Sequence, residues 1–163
     1  MQFRFIELIE TEKFQFLRIY KNGNSSVMTC IQENFKNKFF TTSRPAIDKP
    51  RFAIIRDPYE RFISGLIYDL KRHNIHIKDV KIDKLFTTNE THIQNIITGN
   101  INHSASQIPY LMNTGITHYV DIKDLDLFLK MHFNKSLNNN STDVKKEKIE
   151  KYLDKNEIIK YLH

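Results

Sequence analysis

Several things that would classify a chain at a glance are scarce here. There is one cysteine, Cys30, in 163 residues, so an intramolecular disulfide and a cysteine-built metal cluster are both excluded. No nearby histidine pairs with Cys30 to mark it as a nucleophile, and it reads as ordinary helix packing. No apolar run approaches the roughly 20 residues that cross a bilayer. The stretch Met1 to Phe14 carries acids where a signal peptide needs an apolar segment, so a cytoplasmic setting is the expectation. Internal repeats are absent, and Asn138–Asn140 is too short to count as low complexity.

What is present is the balance of a globular protein. A 40% hydrophobic and 27% charged composition separates the chain from disordered sequences. At this length a single domain over 1–163 is expected, burying about two thirds of its unfolded surface. The net charge of +6 favours anionic partners such as a nucleotide, a sulfated glycan or a nucleic acid. The late lysines between Asp143 and Lys160 alternate with acids, as on a solvated helix face.

Organisation is clearest in the first half. Phe14 to Tyr20 is an aromatic and β-branched run ending at a Gly/Asn/Ser cluster, a strand entering a turn. Residues 25–36 follow as a helix with Val27, Cys30, Ile31 and Phe35 on one face. Arg44 to Pro50 is a loop with two prolines. Phe52 to Ile55 is continuously apolar, as a strand buried on both faces of a parallel sheet would be. The next helix starts with Asp57 as N-cap, Pro58 at the first position and Glu60 in a capping-box position. Phe62, Ile63, Leu66, Ile67 and Leu70 repeat at helical spacing through about residue 72. This makes 14–72 a βαβα unit with a right-handed crossover. The spacing predicts helices at 89–98 and 104–113, a strand at 117–122, a helix at 122–133, a polar loop at 134–142 and a helical last twenty residues. Phe3 to Ile9 reads as either an edge strand or a helix. The fold class that follows is α/β, with a central, mostly parallel sheet and flanking helices in three layers.

Two strand-to-helix turns carry the chemistry. In the first, Tyr20-Lys21-Asn22-Gly23-Asn24-Ser25-Ser26-Val27, the free amides and dipole of the coming helix favour an anion. Gly23 allows close backbone approach, Ser25 and Ser26 add hydroxyl donors, and Lys21 adds a mobile point charge. An ordinary strand–turn–helix with a glycine and a serine cap would read the same way. It is not a Walker A loop, because Lys21 precedes the glycine, and a magnesium-dependent NTPase is disfavoured. In the second, Arg56 ends the apolar strand, and Ser64 lies six residues past Pro58, about 9 Å along the helix. Arg56 pairing with Asp57 or another acid is the alternative, and Arg61 is given to structure.

Taken together these residues resemble the sulfotransferases that use 3′-phosphoadenosine 5′-phosphosulfate (PAPS). Their 5′-phosphosulfate loop, roughly P-K-x-G-[ST]-[ST]-[ST]-L, is similar to Lys21, Gly23, Ser25, Ser26 and Val27. Their 3′-phosphate motif, roughly R-[DN]-P-x-x-R-x-x-S, is similar to Arg56 through Ser64. Both motifs occur in order, each after a strand, over 14–72. The Golgi carbohydrate sulfotransferases look closest: His103 to Gln107 is similar to their His-x-x-x-Gln element, and Asn134-Lys135-Ser136 corresponds to a late nucleotide-contacting loop. Tyr20 stands where a proline is usual, Asn24 where a hydroxyl is usual, and the chain is short for the family.

The resemblance implies a P-loop-NTPase-like sulfotransferase fold, with 14–72 as the PAPS-binding core and 73–163 as a helical remainder. It implies sulfuryl transfer from PAPS to a hydroxyl of a carbohydrate or other small acceptor, with no metal. Lys21 would act on the bridging oxygen. Asn22, Gly23, Asn24, Ser25, Ser26 and Val27 would cradle the 5′-phosphate, Arg56 and Ser64 would hold the 3′-phosphate, and Lys135 would add a contact. His103 is the leading general base, with Glu33, Asp69, His73 and His76 as alternatives. A binding module for adenosine 3′,5′-bisphosphate without catalysis is the second reading. A nucleic-acid-binding protein comes last, because no recognisable motif supports it.

Overall fold

The computed structural model describes residues 7–36, 38–76, 107, 111–112, 114–137 and 153–162. They pack as two units: Met1–Arg56 with Gln107–Asn138, and Asp57–Ser106 with Asn139–His163. The boundary therefore falls inside the second motif, between Arg56 and Asp57.

The first unit is built on a five-stranded sheet. Its strands are β1 (Leu8–Glu10), β2 (Gln15–Leu17), β3 (Phe40–Thr42), β4 (Arg51–Ile55) and β5 (His118–Asp121), in the order β3-β1-β2-β4-β5. β2, β4 and β5 run parallel, with Leu17 beside Ala53 and Ile55 beside Asp121. β1 is antiparallel to both of its neighbours, so the sheet is mixed rather than mostly parallel. The correction has a simple cause. β1 and β3 are three residues each, and β3 is exposed at Phe40 and Thr41, so it lacks the alternation that marks a strand. β1 is also internal, so Leu8 and Ile9 belong to a central strand rather than an edge strand or a helix; Phe3 to Ile6 lie outside the described residues.

The centre of β4 is apolar on both sides because both sides are covered. Phe52 and Ile54 face one layer of core and Ala53 the other, as the two-residue period requires. Helix α1 (Asn24–Phe35) buries Val27, Cys30, Ile31 and Phe35, the four positions expected from spacing. A short 3-10 helix (Ile122–Asp124) leads into α3 (Leu125–Phe133), which contributes Leu125, Phe128, Leu129 and Phe133 to the same core. Phe14 joins these parts. Its ring meets Phe35, Phe52 and Phe133 edge-on at 5.8, 5.7 and 5.9 Å, an arrangement worth about 0.5–1.5 kcal/mol per pair beyond area burial.

The second unit centres on α2 (Pro58–His73) and α4 (Lys155–Leu162). The Asp57 carboxylate accepts from the Glu60 amide at 2.9 Å with Pro58 at the first helical position, as the sequence predicts. Asn74 ends the helix in the left-handed conformation. Tyr59, Phe62, Ile63, Leu66 and Leu70 pack with Leu153 and Ile158. The helices expected at 89–98 and 104–113, apart from residues 107, 111 and 112, lie outside the described residues, as does 138–142 of the polar loop.

Candidate functional site

β2 and β4 are adjacent and parallel, so the turns that follow them open at one edge of the sheet. After β2 the chain makes a tight turn in which the Asn22 amide donates to the Ile19 carbonyl at 3.2 Å. Lys21 occupies the third position of that turn with φ 66°, a place where glycine is the usual residue. A side chain there costs roughly 1–2 kcal/mol. Gly23 follows with φ 75° as the N-cap of α1.

Gly23 is needed for a second reason. A Cβ at this position would lie 2.5 Å from Leu125 Cδ2 and 3.1 Å from Ile122 Cδ1. The start of α3 closes over the turn and leaves room for a hydrogen only.

The first backbone bond of α1 runs from the Val27 amide to the Gly23 carbonyl at 3.2 Å. The amides of Asn24, Ser25 and Ser26 lie ahead of that ladder, and the N-cap, a glycine, has no side chain to cap them. Ser25 is exposed and Ser26 half-buried. Both polar atoms of the Asn24 side chain are shielded from water without a hydrogen-bond partner. The first turn of α1 thus presents donors, one unmet amide side chain and no acid.

The two turns touch. Arg56 Nη1 donates to the Lys21 carbonyl at 3.3 Å. Asn22, 1% exposed, donates through Nδ2 to the Ile54 carbonyl at 2.7 Å and to Gln107 Oε1 at 2.8 Å. Gln107 also accepts from the Arg56 amide at 3.3 Å and donates to the Arg56 carbonyl at 2.6 Å. Lys21, Asn22, Gly23, Arg56 and Gln107 are therefore one assembly within the first unit.

The remaining expected site residues fall in several places. Val27 is fully buried and its amide is used inside α1, so it serves the core. The Asn22 side chain acts as a staple between β4 and the turn. Ser64, half-buried on α2, and Arg61, 2% exposed, belong to the second unit. Lys135 pairs with Glu33 at 3.1 Å. Glu33 is nine residues along α1 from Asn24, about 13 Å at 1.5 Å per residue, so Lys135 sits toward the far end of α1. Asp69 is buried in the second unit and His76 is exposed. His103 lies outside the described residues, as does the side chain of His73.

Cys30 behaves as packing: burial first, and then the Glu33 carboxylate, push its thiol up and keep it protonated at neutral pH. Sequence reasoning placed no role on Gln107 itself. The signal was available only as the last letter of the His-x-x-x-Gln resemblance.

No protein-family model matches the chain, and no curated protein or solved structure matches it either. Among the described residues no helix is long and apolar enough to cross a membrane. Nor does any group of three or more His, Cys, Asp or Glu among them form a metal site.

Proposed function

We propose that this chain is a PAPS-dependent sulfotransferase of the P-loop-NTPase-like sulfotransferase fold, acting on a hydroxyl of a carbohydrate or other small acceptor. The observation that carries the reading is the joining of the two turns, with Arg56 held against Lys21 beside the uncapped start of α1. The donor set fits a polyanionic nucleotide: two cations, three unladdered amides, two hydroxyls and the unmet Asn24 amide. Burial of such an amide without a partner costs about 1–3 kcal/mol, which a bound acceptor and donor would relieve.

The nucleotide, when bound, supplies the sulfuryl group and a phosphate leaving group whose bridging oxygen gains charge as the S–O bond breaks. Lys21 would place its cation where that charge grows, and the amides of residues 24–26 would hold the 5′-phosphate. Arg56 would bind a 3′-phosphate and so exclude nucleotides lacking one. His103 is assigned the proton of the acceptor hydroxyl.

The second reading, a bisphosphate-binding module without transfer, gains from one observation. Glu33, a candidate base in the first unit, is engaged with Lys135 toward the far end of α1. Thermal unfolding separates specific binding from none. Adenosine 3′,5′-bisphosphate should raise Tm well above the rise with ADP at equal concentration, and Arg56→Ala should erase the difference. Equal stabilisation by the two nucleotides would overturn the 3′-phosphate site. Turnover of labelled PAPS against a panel of sugars, phenols and alcohols then distinguishes enzyme from binder.

A further inference from the structure

β4 ends at Ile55, whose ladder partner is Asp121. One residue on, the peptide of Arg56 has left the ladder and needs new partners for its N–H and C=O. Gln107 supplies both, accepting from the N–H at 3.3 Å and donating to the C=O at 2.6 Å. A primary amide carries the donor and acceptor of a peptide bond, so glutamine copies the strand neighbour that the sheet no longer provides. The same Oε1 takes a hydrogen from Asn22 at 2.8 Å, and the other hydrogen of that amide goes to Ile54 at 2.7 Å. The ring is closed by the Arg56 guanidinium on the Lys21 carbonyl.

One carboxamide therefore fixes the backbone from which the Arg56 guanidinium springs and the turn that carries Lys21 and Gly23. Glutamate lacks the donor for the Arg56 carbonyl, methionine lacks both functions, and asparagine is a methylene short. We infer that Gln107 is a positioning residue: it holds Arg56 and the Tyr20–Gly23 turn in one register, and through Arg56 it sets the preference for a nucleotide with a 3′-phosphate. The second half of this statement rests on the nucleotide reading above; the first half does not.

Gln107→Met and Gln107→Glu are compared with the unaltered chain in two measurements. In the absence of ligand, amide NMR signals and hydrogen exchange should change at Arg56 and also at Asn22 and Gly23. Changes confined to Arg56 and its immediate neighbours would overturn the coupling. Calorimetry then gives affinities for adenosine 3′,5′-bisphosphate and for AMP, which differ only in the 3′-phosphate. The ratio of the two should fall by about tenfold or more in Gln107→Met, about 1.4 kcal/mol, with AMP affinity much less affected. A role in packing alone would weaken both ligands in proportion, and an unchanged ratio would overturn the assignment while leaving the nucleotide reading intact. If the unaltered chain shows no preference for the bisphosphate, the nucleotide reading fails, and the NMR comparison alone decides the coupling. Should Gln107→Met not fold, Gln107→Glu retains the acceptor for Asn22 and Arg56 and supports both measurements.

Discussion

Gly23→Ala tests whether the first turn is built as described, without recourse to any ligand. At φ 75° an alanine sits in a conformation that costs an L-residue roughly 1–2 kcal/mol. Its Cβ would also lie 2.5 Å from Leu125 Cδ2, and Leu125 is buried at 3% exposure, so it has little freedom to move away. Forcing a carbon into a packed site of this kind costs about 1–3 kcal/mol. A less flexible unfolded chain returns about 0.4–1 kcal/mol. The net loss should be about 2–4 kcal/mol, read as a lower urea midpoint at unchanged slope. Leu125→Ala separates the two causes. Alone it opens a cavity and costs about 2–5 kcal/mol. Combined with Gly23→Ala it removes the clash, so the pair should be less destabilised than the two effects added, by about 1–2 kcal/mol. The reasoning fails if Gly23→Ala costs under about 0.5 kcal/mol, or if the two substitutions add within about 0.5 kcal/mol.

Lys21→Gly should remove backbone strain and leave stability equal or up to about 1 kcal/mol higher; under the proposed function it should also lower sulfuryl transfer by about 10²–10³-fold. Retained transfer would take Lys21 out of the mechanism, and a clear loss of stability would show that the turn is not strained. Phe14→Ala should cost about 3–5 kcal/mol in urea unfolding, because one ring meets α1, β4 and α3; a cost under 1 kcal/mol would contradict that packing. His132 gives a pH dependence. The residue is exposed overall, but its ring packs on Phe52 and Phe128 at 5.0 and 4.6 Å, and this partial desolvation, with a smaller push from His118, holds its pKa below the ordinary histidine value. The unfolded chain then binds the proton more readily near pH 6.5, so this contribution is full above that pH and is lost as pH falls below it. His132→Phe should flatten the stability profile between about pH 7 and 5.5, and an unchanged slope would remove His132 as its source.

Local chemistry explains what could be read without coordinates. Asp57, Pro58 and Glu60 form a helix start whatever surrounds them, and the structure has Asp57 capping the Glu60 amide at 2.9 Å. Val27, Cys30, Ile31 and Phe35 lie on one face because 3.6 residues complete a turn, and all four are buried. The apolar run at Phe52 to Ile54 follows from a strand covered on both faces. β3 was illegible for the opposite reason. Its residues are exposed, and pairing to β1 alone makes it a strand.

The site divides along the same line. The sequence by itself determined that Lys21, Gly23 and the serines stand at a strand-to-helix turn, and that Arg56 follows a buried strand, because each depends on residues within a few positions. Only tertiary structure decided the rest. Asn22 was read as a ligand contact and is a staple, because its partners are the carbonyl of Ile54 and the side chain of Gln107. Lys135, expected at the nucleotide, pairs with Glu33 on α1. Arg56 and Ser64, eight residues apart in one motif, fall in different units. Hydrogen bonds between positions 32, 51 and 85 residues apart hold the turns together. Such bonds are set by how the chain returns to the sheet edge, which no local pattern of side chains encodes.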